Sequence, residues 1–211
     1  MVRAVVLDFD GVILDSVGIK TKAFARLFED KGAAVVQQVV DYHLANGGVS
    51  RFRKFAYIYT NILGEELPEA ESIRLGERFR ALAFDEVSKA AWIPGVLEFL
   101  RDYHKRYLLF VASGTPQDEL QQIIRRRELE QYFVGAFGSP ATKGEILNRI
   151  VAENRLEKAE MVFVGDTMTD FRAAMESGVK FIGIAPDSGS PFPISTKVLP
   201  DLRRLAEAIG E

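Results

Sequence analysis

The sequence predicts an α/β protein: a doubly wound parallel sheet with an all-helical domain inserted after its first strand. Three observations carry that prediction. The apolar run Ala4-Val5-Val6-Leu7 stops at two carboxylates, Asp8 and Asp10, and a turn at Gly11, which reads as a buried strand of a parallel sheet. Nothing from Asp15 to Lys89 reads as a strand. From Trp92 onward, short apolar strands alternate with helical segments, the pattern of a parallel sheet with helices on both faces.

Taken in order, the elements follow from local signals. Asp15-Ser16 is positioned to cap a helix, in which Ile19, Ala23, Phe24, Leu27 and Phe28 recur at helical spacing until Lys31-Gly32. A second periodic stretch covers Val35 to Leu44 and breaks at Asn46-Gly47-Gly48. Ser50 is placed to cap a third helix, Arg51 to Leu63, stopped by Gly64; Pro68 opens a fourth that runs to about Lys89. Pro94 suits the first turn of a helix reaching about Arg106. Then come a strand at Tyr107 to Ala112, a helix at Pro116 to Arg127, a short strand at Val134 to Phe137 and a helix at Lys143 to Asn154. A strand at Met161 to Val164, a helix at Thr169 to Ser177 and a strand at Phe181 to Ile184 follow. A Gly/Ser/Pro loop from Ser188 to Pro193, a short strand near Val198 and a helix from Asp201 to Ile209 close the chain. The simplest architecture is a Rossmann-like core made of residues 1–14 and 91–211, with a helical domain at 15–90 hinged at Ile13 to Ser16 and Ala90 to Pro94.

Composition narrows the function classes. The 211 residues accommodate one domain, or one with a sizeable insertion. Hydrophobic residues at 47% and charged residues at 27% are ordinary for a globular protein. A net charge of -3 gives no electrostatic basis for binding nucleic acid or an anionic membrane. The chain has no cysteine, which excludes disulfides and thiol chemistry and suits a reducing compartment. The N-terminal apolar run is too short for a signal peptide, and no segment approaches the roughly 18 apolar residues of a membrane span. The expectation is a cytoplasmic monomer or homodimer whose partner is a small molecule.

The polar residues at the strand ends carry the chemistry. In open parallel sheets ligands bind beyond the carboxyl ends of the strands, where Asp8 and Asp10 fall. Two close carboxylates repel unless a cation lies between them or one keeps its proton. In Ala112-Ser113-Gly114-Thr115, Ser113 either holds an anionic oxygen, with Gly114 giving close backbone approach, or caps the following helix. Lys143 sits in a first helical turn against the dipole, which makes sense if it faces an anion and carboxylates; otherwise it is a surface lysine. Asp166 is the first residue past its strand, and Asp170 lies four further on. Their hard oxygens suit magnesium, whereas an Asx turn with a helix cap explains only one of them easily.

With D-F-D-G-V, A-S-G-T, Lys143 and G-D-T-M-T-D in that order, the chain resembles the haloacid dehalogenase superfamily. The likeness is to its phosphatase-type members with a helical cap inserted after the first motif, and it covers nearly the whole sequence. The resemblance implies that Asp8 is a nucleophile that becomes an aspartyl phosphate, and that Asp10 is general acid and then base. It implies that Ser113, Gly114 and Lys143 hold the transferring phosphoryl group. It also implies that Mg2+ is bound by Asp8, the Asp10 carbonyl and Asp166, with Asp170 supporting the site. Dehalogenating members lack the second aspartate of the first motif, so Asp10 points to a small phosphorylated metabolite as substrate.

The cap region carries the specificity signal. The run Gly48-Val49-Ser50-Arg51 is similar to a cap segment of beta-phosphoglucomutases, whose arginine holds a distal phosphate; this makes Arg51 the candidate contact to a second anionic group. The other reading of that stretch is a solvated basic helix face. Arg53 and Lys54 are expected at the surface, and Trp92 and the phenylalanines of the cap in the core. His43 is expected on a helix surface or in the core rather than at the chemistry. The mutases carry a histidine in the first cap helix; Lys20 stands about there in this chain. Two activities follow from the same aspartyl phosphate, hydrolysis of a phosphomonoester and, as the alternative, isomerisation of a phosphosugar.

Overall fold

The structure, a computed structural model, describes residues 1–185 and 189–210. Six parallel strands form one sheet in the order β3-β2-β1-β4-β5-β6, with β1 (Ala4–Leu7), β2 (Leu108–Pro116), β3 (Gly135–Ser139), β4 (Met161–Gly165), β5 (Lys180–Ile184) and β6 (Val198–Leu199). The first strand is thus interior, which its unbroken apolar sequence requires: all four residues are buried on both faces.

Alternation along β1 divides the core. Val5 and Leu7 point into one apolar cluster, Ala4 and Val6 into another. The first face is covered by α5 (Val96–Tyr103), α6 (Gln117–Arg126) and α9 (Leu205–Gly210), through Phe99, Leu120, Ile123 and Leu205. The second is covered by α7 (Lys143–Glu153) and α8 (Met168–Ser177), through Ile146, Leu147, Ile150 and Ala174. Helices on both faces make the sheet doubly wound, as the alternation of elements predicts.

The insertion between β1 and β2 is helical throughout: α1 (Val17–Leu27), α2 (Ala33–Ala45), α3 (Arg51–Tyr57) and α4 (Glu69–Lys89). The expected third helix to Leu63 exists, but its second half, Ile58–Leu63, is wound as π-helical turns. Phe24 is the hub of this layer, with ring centroids of His43, Phe79 and Phe55 at 4.5, 4.8 and 5.8 Å. The two chain crossings are hydrogen-bonded to each other, Asp15 N–H to the Ala91 carbonyl at 2.9 Å and Ile93 N–H to the Ile13 carbonyl at 3.1 Å. Arg127 braces them, donating to the Ser88 and Ala90 carbonyls and stacking 3.7 Å over Trp92.

Local differences from expectation have local causes. The second strand runs on to Pro116, so Ser113 lies within it and the next helix begins at Gln117. Ser16 and Ser50 precede their helices without a side-chain cap; the Ser16 hydroxyl is drawn to Asp10 instead. The fifth and last helices are shorter than expected, Val96–Tyr103 and Leu205–Gly210. Ser188, at the start of the expected loop, lies outside the described residues.

Candidate active site

Sheet register assembles the polar residues. β1 lies between β2 and β4, with Leu7 beside Val111 and Val164. Just beyond, the three strands carry Asp8, Ser113-Gly114 and Asp166, and Asp8 N–H still donates to the Val164 carbonyl at 2.9 Å.

Asp8 is buried; its Oδ1 accepts Phe9 N–H at 2.7 Å, and its Oδ2 faces Lys143 Nζ at 2.8 Å. Lys143 opens α7 behind a capping box of Thr142 and Glu145, and also binds Asp170. Asp170 belongs to a second capping box, at the start of α8, where its Oδ2 accepts Thr167 N–H at 3.1 Å and the Thr167 hydroxyl at 2.6 Å. Both boxes are legible as T-x-x-E and T-x-x-D. The unfavourable place of a lysine at a helix N-terminus is offset by two carboxylates facing it.

Asp8, Asp166 and Asp170 each bring a carboxylate oxygen within 4.8 Å of the others. Burial, more than any neighbour, pushes Asp8 up to about 7 against the pull of Lys143. Burial, then Asp8 and Asp170, raises Asp166 well above the usual carboxylate range. Burial also opposes the Lys143 charge, but Asp170 and Asp8 override it and hold the ammonium above the ordinary lysine range. Among the described residues Asp166 Oδ1 is buried with no hydrogen-bond partner. Crowded carboxylates and an orphaned hard oxygen fit a divalent cation, which would relieve the repulsion and satisfy that oxygen. Gly11 leaves the room: at φ +83° its missing Cβ would lie 2.2 Å from Asp166 Oδ2.

Asp10 is not in that trio; its carboxylate turns toward the helical layer. Ser16 Oγ donates to its Oδ1 at 2.6 Å, and Lys20 Nζ to its Oδ2 at 2.5 Å. Thr115 Oγ1 bridges, accepting from Lys20 at 2.8 Å and reaching Asp10 Oδ2 at 3.3 Å. Burial works to raise Asp10, but the Lys20 charge and the hydrogen bonds from Lys20 and Ser16 outweigh it and hold the carboxyl below its ordinary range. Lys20, Ser16 and Thr115 are the site partners that sequence reasoning missed. Their contacts span ten, six and 105 positions, and only the fold brings them together.

Ser113 is fully buried and caps nothing in α6; its Oγ accepts Thr115 N–H at 3.1 Å. Gly114 does serve close approach, but of another strand of chain: a Cβ there would lie 2.4 Å from the Gly48 carbonyl oxygen. The 46–50 loop of the helical layer is pressed onto the strand ends, with the Thr167 hydroxyl donating to the Gly47 carbonyl at 3.3 Å.

Above these residues lies a cavity of about 220 Å³ between the helical layer and the sheet, lined in part by Asp10, Lys20, His43, Arg51, Lys54 and Asp166. Arg51 reaches it, yet its guanidinium is buried against Glu119 of α6 at 2.6 Å and lies 4.4 Å over Phe79. Lys54 corrects the surface expectation: it is 2% exposed. Residues three apart on a helix share a face, and Arg51, Lys54, Phe55 and Ile58 form the buried face of α3 and its continuation. Arg53 is exposed as expected. His43 is in the core, with burial and then Lys54 and Lys20 pushing it down to about 3.

Three convergent carboxylates and a buried lysine thus sit at the carboxyl edge of a doubly wound sheet, beneath a layer of helices. The chain belongs to the haloacid dehalogenase-like hydrolase family, whose model matches residues 5–184. It is 25% identical to the phosphoglycolate phosphatase of Vibrio parahaemolyticus over 99% of this chain and 96% of that protein. It is also 25% identical to the phosphorylated carbohydrates phosphatase of Thermotoga maritima, over 85% of this chain and 83% of that one. In fold it resembles the beta-phosphoglucomutase of Clostridium difficile, with a TM-score of 0.80, 17% identity and coverage of 100% of this chain and 96% of the other. A haloacid dehalogenase-like hydrolase from Streptococcus pneumoniae matches with a TM-score of 0.70 and 19% identity over 98% of each chain. Among the described residues no helix is long and apolar enough to cross a membrane.

Proposed function

We propose that the protein is a magnesium-dependent phosphoric monoester hydrolase that acts on a small phosphorylated metabolite through an aspartyl phosphate on Asp8. The observation that carries this reading is the unpartnered, buried Asp166 oxygen beside Asp8, with Lys143 held between Asp8 and Asp170. Relatives named as phosphatases support the reaction class. In the division of labour proposed, residues 1–14 and 91–211 are the catalytic core and residues 15–90 the cap.

Asp8 and Asp166, with the Asp10 carbonyl, would hold the metal; Asp170 keeps Lys143 in place, since its oxygens are already engaged by Lys143 and Thr167. When bound, magnesium neutralises charge on the phosphoryl oxygens and on the carboxylates around them. An Asp8 oxygen forms the new bond to phosphorus while the bond to the substrate's alcohol oxygen breaks, and that oxygen takes a proton from Asp10. Water then gives a proton to Asp10 and attacks the same phosphorus, which frees Asp8 and releases phosphate. Lys143, Ser113 and the Gly114 backbone would hold the equatorial oxygens as charge spreads over them. Lys20 and Ser16 favour the ionised Asp10 that the second half needs and work against the protonated form that the first half needs.

Hydrolysis is favoured over mutase action by Arg51, whose charge is committed to Glu119 rather than left for a second phosphate. The test is turnover of an aryl phosphate and a panel of metabolite phosphates with magnesium and with chelator. Magnesium-dependent phosphate release, absent in Asp8→Asn, is expected. No release above that variant, or isomer formation that needs a bisphosphate primer without net release, contradicts the reading.

A further inference from the structure

We propose that Lys54 is the specificity residue of this site, an anchor in the cap for a carboxylate carried by the phosphorylated substrate. The proposal deepens the phosphatase reading and rests on it for the place of the phosphoryl group; the substrate class it names is the short phosphorylated hydroxy acid.

The cavity over Asp10 is lined by three basic side chains, Lys20, Arg51 and Lys54. Lys20 is paired with Asp10 and Arg51 with Glu119. Among the described residues Lys54 has no carboxylate partner: its Nζ meets only His43, Nδ1 at 2.9 Å and the carbonyl oxygen at 3.2 Å, beside the Phe24 ring at 5.5 Å. Its exposure is 2%. Interiors pair their buried charges because an unpaired one is costly, and a cation left without an anion on the wall of a substrate cavity is matched by an anion the substrate brings. Burial, then repulsion from Lys20, pushes Lys54 down to about 7, and a carboxylate beside it would restore its charge.

Size and position narrow the ligand. At about 220 Å³ the cavity falls below the range of roughly 300–1,000 Å³ usual for drug-sized ligands. That space suits an acid of a few carbons, and the Gly47-Gly48 loop pressed on Thr167 and Lys143 closes it on one side. A longer sugar phosphate with a second phosphate would meet the Arg51–Glu119 pair instead of a free cation.

Binding tests this without relying on turnover. In the magnesium-loaded Asp8→Asn protein, calorimetric titration compares a two-carbon phosphorylated hydroxy acid with the same compound carrying a neutral amide in place of its carboxylate. The acid is expected to bind roughly tenfold to a hundredfold more tightly, the worth of one hydrogen-bonded charge. Adding Lys54→Gln should bring that ratio close to one, and adding Lys54→Arg should keep most of it. Equal affinity of the two compounds in the parent protein overturns the proposal even if no Lys54 variant folds. A preference that survives Lys54→Gln, or no binding of either compound, also overturns it. Failure of the phosphatase reading is seen separately, as absence of magnesium-dependent aryl phosphate turnover in the wild type.

Discussion

Replacing Glu119 with alanine strands the Arg51 guanidinium in the interface between α3 and α6. The two side chains are 5% and 6% exposed, with N and O 2.6 Å apart, so water cannot replace the lost carboxylate while the interface stays closed. Removing one partner of a buried pair costs about 3–5 kcal/mol. The contact of Arg51 with Phe79 at 4.4 Å survives the change, which places the expected loss near the lower end, about 3 kcal/mol. For a chain of this size that is a fall in Tm of about 6–12 °C. Urea unfolding of wild type, Glu119→Ala and the double variant Arg51→Met/Glu119→Leu measures it. The double variant is expected within about 1 kcal/mol of wild type, because apolar replacements of a whole buried pair are tolerated. A loss in Glu119→Ala below about 1 kcal/mol, the worth of an exposed pair, would refute the reasoning: the cap would then not be seated on the core in solution.

Other perturbations test neighbouring parts of the account. His43 falls from 6.5 unfolded to about 3 folded, so its neutral form contributes stability that is complete above pH 6.5 and lost as pH falls toward 3; His43→Leu should flatten urea stability against pH between 6.5 and 4, and an unchanged slope contradicts the buried placement. Gly114→Ala puts a methyl group 2.4 Å from the Gly48 oxygen; a loss of about 1–3 kcal/mol and of activity is expected, and a neutral result in melting and kinetics shows that the 46–50 loop does not rest there. Asp166→Asn should abolish the stabilisation that magnesium gives the wild type, about 3 kcal/mol at a hundredfold excess over Kd and read as a rise in Tm; an unchanged rise places the cation elsewhere.

What the sequence made legible, and what it hid, divides along the range of the interactions. β1 and β4 are buried on both faces, so their apolar runs are unbroken and their ends are marked sharply by Asp8 and Asp166. The capping boxes at Thr142 and Thr167 went unread, although their partners lie only three residues apart and the T-x-x-E and T-x-x-D spacing carries the signal. Ser16 shows the limit: its sequence position suits a helix cap, but tertiary attraction to Asp10 wins the hydroxyl. Arg51 and Lys54 mislead in another way. Basic residues at a helix start suggest a solvated face, whereas the spacing of Arg51, Lys54, Phe55 and Ile58 was the signal of a buried one. Neither Glu119 nor Lys20 can be paired from sequence, because the partners come from different layers of the fold.

The most direct measurement is acid-quenched single turnover of the magnesium-loaded enzyme on a cleaved phosphomonoester, followed by peptide mass spectrometry. The account predicts a transient phosphoryl group on the peptide that carries Asp8, lost on longer incubation and never formed in Asp8→Asn. Steady release of phosphate with no adduct at any time, or with an adduct on another residue, would contradict it.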